Sequence, residues 1–138
     1  MKAIALYLVF FISLLLIHCR QSIEPVSPGT YHYTSYDSSG TVIVKGWFTM
    51  DLSDSSNISG EWHFKAISNS KNIGPQIGNG NLVGHVHDRQ IWIELNPKFK
   101  DNNLQLVGKL FDDGISGRWL WISFIGVMSS GTFEAVKN

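Results

Sequence analysis

Cysteine is nearly missing from this 138-residue chain: the single copy, Cys19, excludes an internal disulfide, so stability has to come from packing. A surplus of basic charge is missing too. Eleven basic side chains balance eleven acidic ones, and removal of Lys2 with an export signal would leave ten against eleven, which argues against nucleic acid as a partner. Beyond residue 29 no window places apolar residues at helical spacing, which excludes a helical domain. Catalytic signatures are equally scarce. There is no nucleophile elbow, no phosphate-binding glycine loop and no pair of inward carboxylates, and Asp112 and Asp113 are explained by a tight turn at Gly114. Neither an enzyme nor a cofactor is expected. The length leaves room for one domain, which would bury about two-thirds of the surface its unfolded chain exposes.

What is present begins with Met1 and Lys2 and an apolar run from Ala3 to Ile17 that only Ser13 interrupts. As a helix this run reaches about 22 Å, short of the ~30 Å hydrocarbon core of a bilayer, so an export signal over 1–18 fits better than a span. Leu15-Leu16-Ile17-His18-Cys19 resembles a bacterial lipobox, with His18 standing where a small residue is usual. The resemblance implies cleavage before Cys19 and a lipid, palmitate among its chains, on that thiol. The protein would then be exported and anchored in the cell envelope, on an inner or an outer membrane. Plain secretion, with Cys19 incidental, is the alternative. Residues 19–29, with Glu24, Pro25, Ser27 and Pro28, read as an extended tether ahead of a domain over 30–138.

In that domain, two-residue alternation recurs between clusters of Gly, Asn, Asp and Ser. It predicts eight strands, near 30–37, 41–52, 58–67, 82–88, 90–96, 103–111, 115–124 and 131–136. Most connections are short enough for hairpins, which gives an antiparallel meander. Glycine recurs inside strands: Val44-Lys45-Gly46-Trp47, Ile58-Ser59-Gly60-Glu61-Trp62, Leu82-Val83-Gly84, Leu106-Val107-Gly108 and Ile115-Ser116-Gly117-Arg118-Trp119. Glycine weakens a flat sheet but permits the sharp coiling that closure requires. The expectation is an all-β, eight-stranded antiparallel up-and-down β-barrel, with a two-sheet sandwich as runner-up.

Gly29-Thr30-Tyr31, the Ser-Gly-aromatic steps at Gly60 and Gly117, and Ser130-Gly131-Thr132-Phe133 resemble the avidin-like barrels, calycin-type relatives of the lipocalins. In that family the connection between the third and fourth strands is a lid over a ligand; the matching stretch here is Ser68 to Asn81. The family's biotin site is lined by inward polar groups, and this chain departs from it. Alternation turns Val42, Val44, Phe48, Met50, Leu52, Ile58, Trp62, Phe64, Leu82, Val86, Ile91, Ile93, Leu95, Leu104, Leu106, Leu110, Trp119, Trp121, Phe133 and Ala135 inward, with almost nothing polar among them. Such an interior is either filled by its own side chains or hollow for an apolar or aromatic small molecule.

A ligand-binding set follows: Tyr31, Trp62, Phe64, Trp119 and Trp121 within, and Asn72, Gln76 and Asn79 at the lid. Ile43, Trp47, Val83, Trp92, Phe111, Leu120, Ile122 and Phe124 are expected to face outward. A meander puts 68–81, 97–102 and 125–130 at one rim with the Gly40 turn, away from the tether, where Asn69, Lys71, Lys98 and Phe99 join the candidates for contact. His85 and His87, with His63 and Glu94 on flanking strands, have spacing that permits a metal without indicating one. Function therefore divides two ways. The chain is a membrane-anchored binding lipoprotein for an apolar small molecule, or an interaction or hydrolase-inhibitor protein that reaches an extracellular partner through its loops.

Overall fold

The computed structural model describes residues 28–138; the expected export signal over 1–18, Cys19 and the expected tether up to Ser27 lie outside the described residues. Eight strands follow in order: β1 (Gly29–Tyr36), β2 (Val42–Leu52), β3 (Asn57–Ala66), β4 (Gly78–His87), β5 (Gln90–Glu94), β6 (Asn103–Leu110), β7 (Gly114–Ser123) and β8 (Gly126–Lys137). Each pairs antiparallel with the next, and β8 returns to β1, with Tyr31 opposite Lys137 and Tyr36 opposite Thr132. The sheet is a closed barrel with no free edge strand, and the described residues contain no helix.

Closure depends on glycines where strands approach most tightly. Between β2 and β3 the ladder opens after Phe48–Trp62 and resumes at Asp51–Ser59, and in the gap Thr49 Oγ1 accepts the Glu61 N–H at 3.0 Å. A Cβ at Gly60 would overlap the Thr49 carbonyl oxygen, and one at Gly117 would overlap that of Val107. An unconstrained Gly→Ala change stabilises a fold by about 0.4–1 kcal/mol through the unfolded chain. At Gly60 or Gly117 the sign reverses, and alanine is expected to cost about 1–3 kcal/mol because a backbone carbonyl must move. Thermal melts of the two variants check this; a raised melting temperature in either would contradict the packing described.

The interior is filled. Tyr33 stacks on Phe64 with ring centroids 4.1 Å apart and on Phe133 at 5.7 Å, while Tyr31 stacks on Phe48 at 5.3 Å. A void able to admit water would leave exposure on the side chains lining it. Phe48, Met50, Ile91, Ile93, Leu104 and Leu106 are 0% exposed, and Tyr33, Phe64 and Trp119 are 1%.

Four expectations need correction. Ile43, assigned to the outer face, is buried, because a bulge that pairs Ser35 with Val44 but Tyr36 with Val42 leaves Ile43 unopposed and swaps its face. The interior is not devoid of polar groups, since Tyr33, Ser35 and Gln76 meet inside it. β4 begins at Gly78, which shortens the lid-like connection to 67–77. No long loop joins β7 and β8: Ser123 pairs with Gly126 across a two-residue turn at Phe124-Ile125.

The chain enters β1 beside the turns 53–56, 88–89 and 111–113. In the second of these, Asp88 and Arg89 both adopt positive φ, as a two-residue hairpin requires. In the first, Asp54 Oδ1 accepts the N–H groups of Asn57 at 2.7 Å and Ser56 at 2.8 Å, and Oδ2 accepts Asn57 Nδ2 at 2.8 Å. These bonds, the Asn57 N–H first, hold its carboxyl down at about 2 against an ordinary 3.8. A carboxyl lowered by folding stabilises above its unfolded pKa and ceases to as the pH falls through the folded one. The melting temperature should therefore drop between pH 3.8 and about 2. Asp54→Ala should remove part of that drop, and an identical profile in the variant would show that the turn contributes none of it.

Candidate functional site

The rim far from the chain's entry carries the turn 37–41, the connections 67–77 and 95–102, and the 124–125 hairpin tip. The first connection is fastened down. Gln76, fully buried, accepts hydrogen bonds at Oε1 from the Tyr33 hydroxyl (3.1 Å) and the Ser35 hydroxyl (3.0 Å), and its Nε2 donates to the Ile73 carbonyl (2.6 Å). Burial pushes the Tyr33 phenol well above its ordinary 10.0. Ile73 is buried alongside, and Gly74, at φ 62°, lies so close against the Trp121 indole that a Cβ there would strike the ring. Asn96 Nδ2 donates to the Pro75 carbonyl at 3.3 Å, which joins this connection to the next. Together these residues stopper the barrel.

Two further bonds set the other rim segments side by side. The Phe124 N–H donates to Asp101 Oδ1 at 3.0 Å, and Trp121 Nε1 donates to Asn102 Oδ1 at 2.8 Å. The loop bearing Phe99 is thereby held against the hairpin tip. Phe124 and Ile125 are 80% and 86% exposed, and Phe99 is 66% exposed. Val127 and Met128 follow on β8, where the register shifts between Trp121 and Ile122, and they too face solvent. With Ile67 and Ile77 flanking the stopper, seven of the eleven exposed large apolar side chains among the described residues lie at this rim; the other four are Trp47, Val83, Phe111 and Val136. An apolar patch of this kind marks a contact surface.

The residues singled out from sequence divide three ways. Tyr31, Trp62, Phe64 and Trp119 sit together in the packed interior, where Trp62 Nε1 donates to the Leu95 carbonyl (2.8 Å) and Trp119 Nε1 to that of Tyr36 (2.9 Å). Gln76 is buried in the stopper, and Trp121 is half-buried beside it. Asn69, Lys71, Asn72, Asn79, Lys98 and Phe99 are exposed, with Asn79 on β4 rather than in a loop. His85 stacks on Trp92 at 4.8 Å on the outer wall, and His87 Nε2 lies 3.2 Å from the Asp88 carboxylate. His63 pairs with Asn79, six residues along β4 from His85, which separates the two by roughly 20 Å.

The Phe124-Ile125 tip was partly hidden in the sequence. Phe124 reads as an outward strand residue, while Ile125 falls in a stretch, 125–130, whose Gly and two Ser suggest a long loop. Four large apolar residues in five, Phe124, Ile125, Val127 and Met128 around Gly126, were the signal in the sequence that could have found it. Set against family models, curated proteins and solved structures, the chain matches none at significance.

Proposed function

We propose that this chain is an exported lipoprotein, held on a membrane through Cys19, whose calycin-type barrel binds a partner protein with its distal rim. One observation carries the reading: the exposed apolar side chains gather at the rim opposite the chain's entry, over an interior with no room for a ligand. The tether meets the short-turn rim, so an anchor there points Phe99, Phe124 and Ile125 away from the membrane that holds it. The rim's two carboxylates are engaged, Asp37 by the N–H groups of Ser39 and Thr41 and Asp101 by that of Phe124, whereas Lys71, Lys98 and Lys100 are exposed. The complementary partner surface is an apolar cleft edged with carboxylates, and the cleft of a hydrolase is one such surface. An apolar small molecule, by contrast, would have to lie on the rim, because the stopper and the packed rings leave it no space inside.

A photoreactive residue at position 125 in whole cells should give a discrete protein adduct that the same group at Ser55, on the opposite rim, does not give and that Phe124→Ser abolishes. No adduct, or flotation of the anchor-free barrel with vesicles in a manner that depends on Phe124 and Ile125, would end the protein reading. Intact-mass measurement addresses the anchor independently. Cys19→Ser should lose the mass of the lipid and leave the membrane fraction.

A further inference from the structure

β4 runs well past the end of its neighbour β5. Val83 to His87 pair with β5, but Gly78 to Leu82 extend beyond it and pair on one side only, with β3. In this free-standing half the residues alternate strictly: Gly78 and Gly80 turn inward, and Asn79 and Asn81 turn out into solvent. Two grooves flank the strip. One, of about 270 Å³, runs along β3 and is walled by Trp47, Glu61 and His63. The other, of about 210 Å³, occupies the place a longer β5 would fill and is walled by Leu95 to Phe99. Asn79, Gly80 and Asn81 line both.

The chemistry of this surface is specific. Trp47 stands directly across the ladder from His63, their ring planes 8° apart, and His63 stands across from Asn79. One row thus reads indole, imidazole, amide. In the next row the exposed Glu61 is opposite Asn81. At the far wall Phe99 supplies a second exposed aromatic face.

We infer that the Asn79-Gly80-Asn81 strip and the grooves beside it form a binding site for a neutral polysaccharide chain. A pyranose ring has an apolar C–H face and a rim of hydroxyls, each both donor and acceptor. The flat indole of Trp47 receives the face. Planar amides, which hold a donor and an acceptor at fixed spacing, and a carboxylate, which supplies two acceptors, bridge neighbouring hydroxyls. Within the grooves Glu61 on one wall and Lys98 on the other balance, so the linings favour neither a polyanion nor a polycation, and the exposed Lys45 and Lys65 stand one row beyond them. The grooves are shallow and open at their ends, which suits a chain passing across the strip rather than an enclosed small sugar. Glycine at position 80 keeps the floor low; a Cβ there would stand 3.1 Å from Trp62 Nε1. This site lies on the barrel wall and shares Lys98 and Phe99 with the rim contact proposed above, whereas Trp47, Glu61 and the Asn79 to Asn81 strip lie outside that contact.

The test is affinity electrophoresis of the folded mature chain through native gels containing glycol chitin, hydroxyethyl cellulose or glycogen. At least one polymer should retard the wild type. Trp47→Ala should weaken that retention at least tenfold, Trp47→Phe should restore most of it, and Asn81→Ala, at an exposed position, should weaken it several-fold with unchanged circular dichroism. Trp92→Ala, on the outer wall near the other rim, should leave retention as it is. Migration of the wild type unaffected by all three polymers would overturn the assignment, and so would equal losses in Trp47→Ala and Trp92→Ala.

Discussion

Trp119→Ala is expected to lower the stability of the barrel by about 3–5 kcal/mol, the range for removing a large buried aromatic side chain. The ring is 1% exposed, lies on β7 between Leu106 and Gly131, and donates its Nε1 hydrogen to the Tyr36 carbonyl of β1 at 2.9 Å. It therefore reaches across β8 and ties the last strands to the first, at the seam where the sheet closes. Gly131 exists to admit it, because a Cβ there would overlap both the indole and the Tyr36 carbonyl oxygen. Alanine leaves a cavity and takes the indole donor away from the Tyr36 carbonyl. Trp121→Ala supplies the internal comparison, since its ring is only half-buried and its Nε1 bond to Asn102 lies at the surface. Urea unfolding should show Trp119→Ala with a much lower midpoint than Trp121→Ala and an unchanged slope. Equal midpoints would mean that the seam is held by something other than this ring.

The same seam shows why some of the fold was legible in the sequence and some was not. Strand number and closure could be read because glycine recurs inside the strands where the chain is most tightly approached, by a backbone carbonyl at Gly60 and Gly117 and by the Trp119 indole at Gly131. Gly78-Asn79-Gly80-Asn81 defeats the same reading. Glycine and asparagine are the commonest turn formers, so the segment looks like loop, yet Gly80 faces inward where the Trp62 ring already occupies the interior. Ile43 illustrates a different failure. Alternation assigns faces only while the register holds, and a bulge between neighbouring strands leaves no mark in the sequence of either. The rim was legible as a place and not as a surface: topology alone put the loops there, but the exposure of Phe124 and Ile125 follows from a two-residue turn whose formation depends on pairing between β7 and β8.

Gln76 is the residue whose role sequence reasoning placed furthest from its position, at the solvent-facing lid, and its replacement carries the second large expectation. Inside the stopper it serves three partners at once, accepting from Tyr33 and Ser35 and donating to Ile73, and no buried side-chain polar atom among the described residues is left without a partner. Gln76→Ala deprives two hydroxyls and a carbonyl together. A buried polar group left unpaired costs about 1–3 kcal/mol, so the variant should lose about 2–5 kcal/mol, towards the lower end if water enters to replace the amide. The asymmetry of hydrogen-bond energetics gives a sharper check than the loss alone. Exchanging the amide and both hydroxyls for apolar groups, as in Tyr33→Phe with Ser35→Ala and Gln76→Met, leaves only the Ile73 carbonyl without its Gln76 donor and should recover a large part of the stability. Amide hydrogen exchange across residues 67–77 should rise steeply in Gln76→Ala and return towards wild type in the triple variant. If Gln76→Ala were as stable as the parent, with its 67–77 amides as protected, the stopper would be held by Ile73 and the Gly74–Trp121 contact alone.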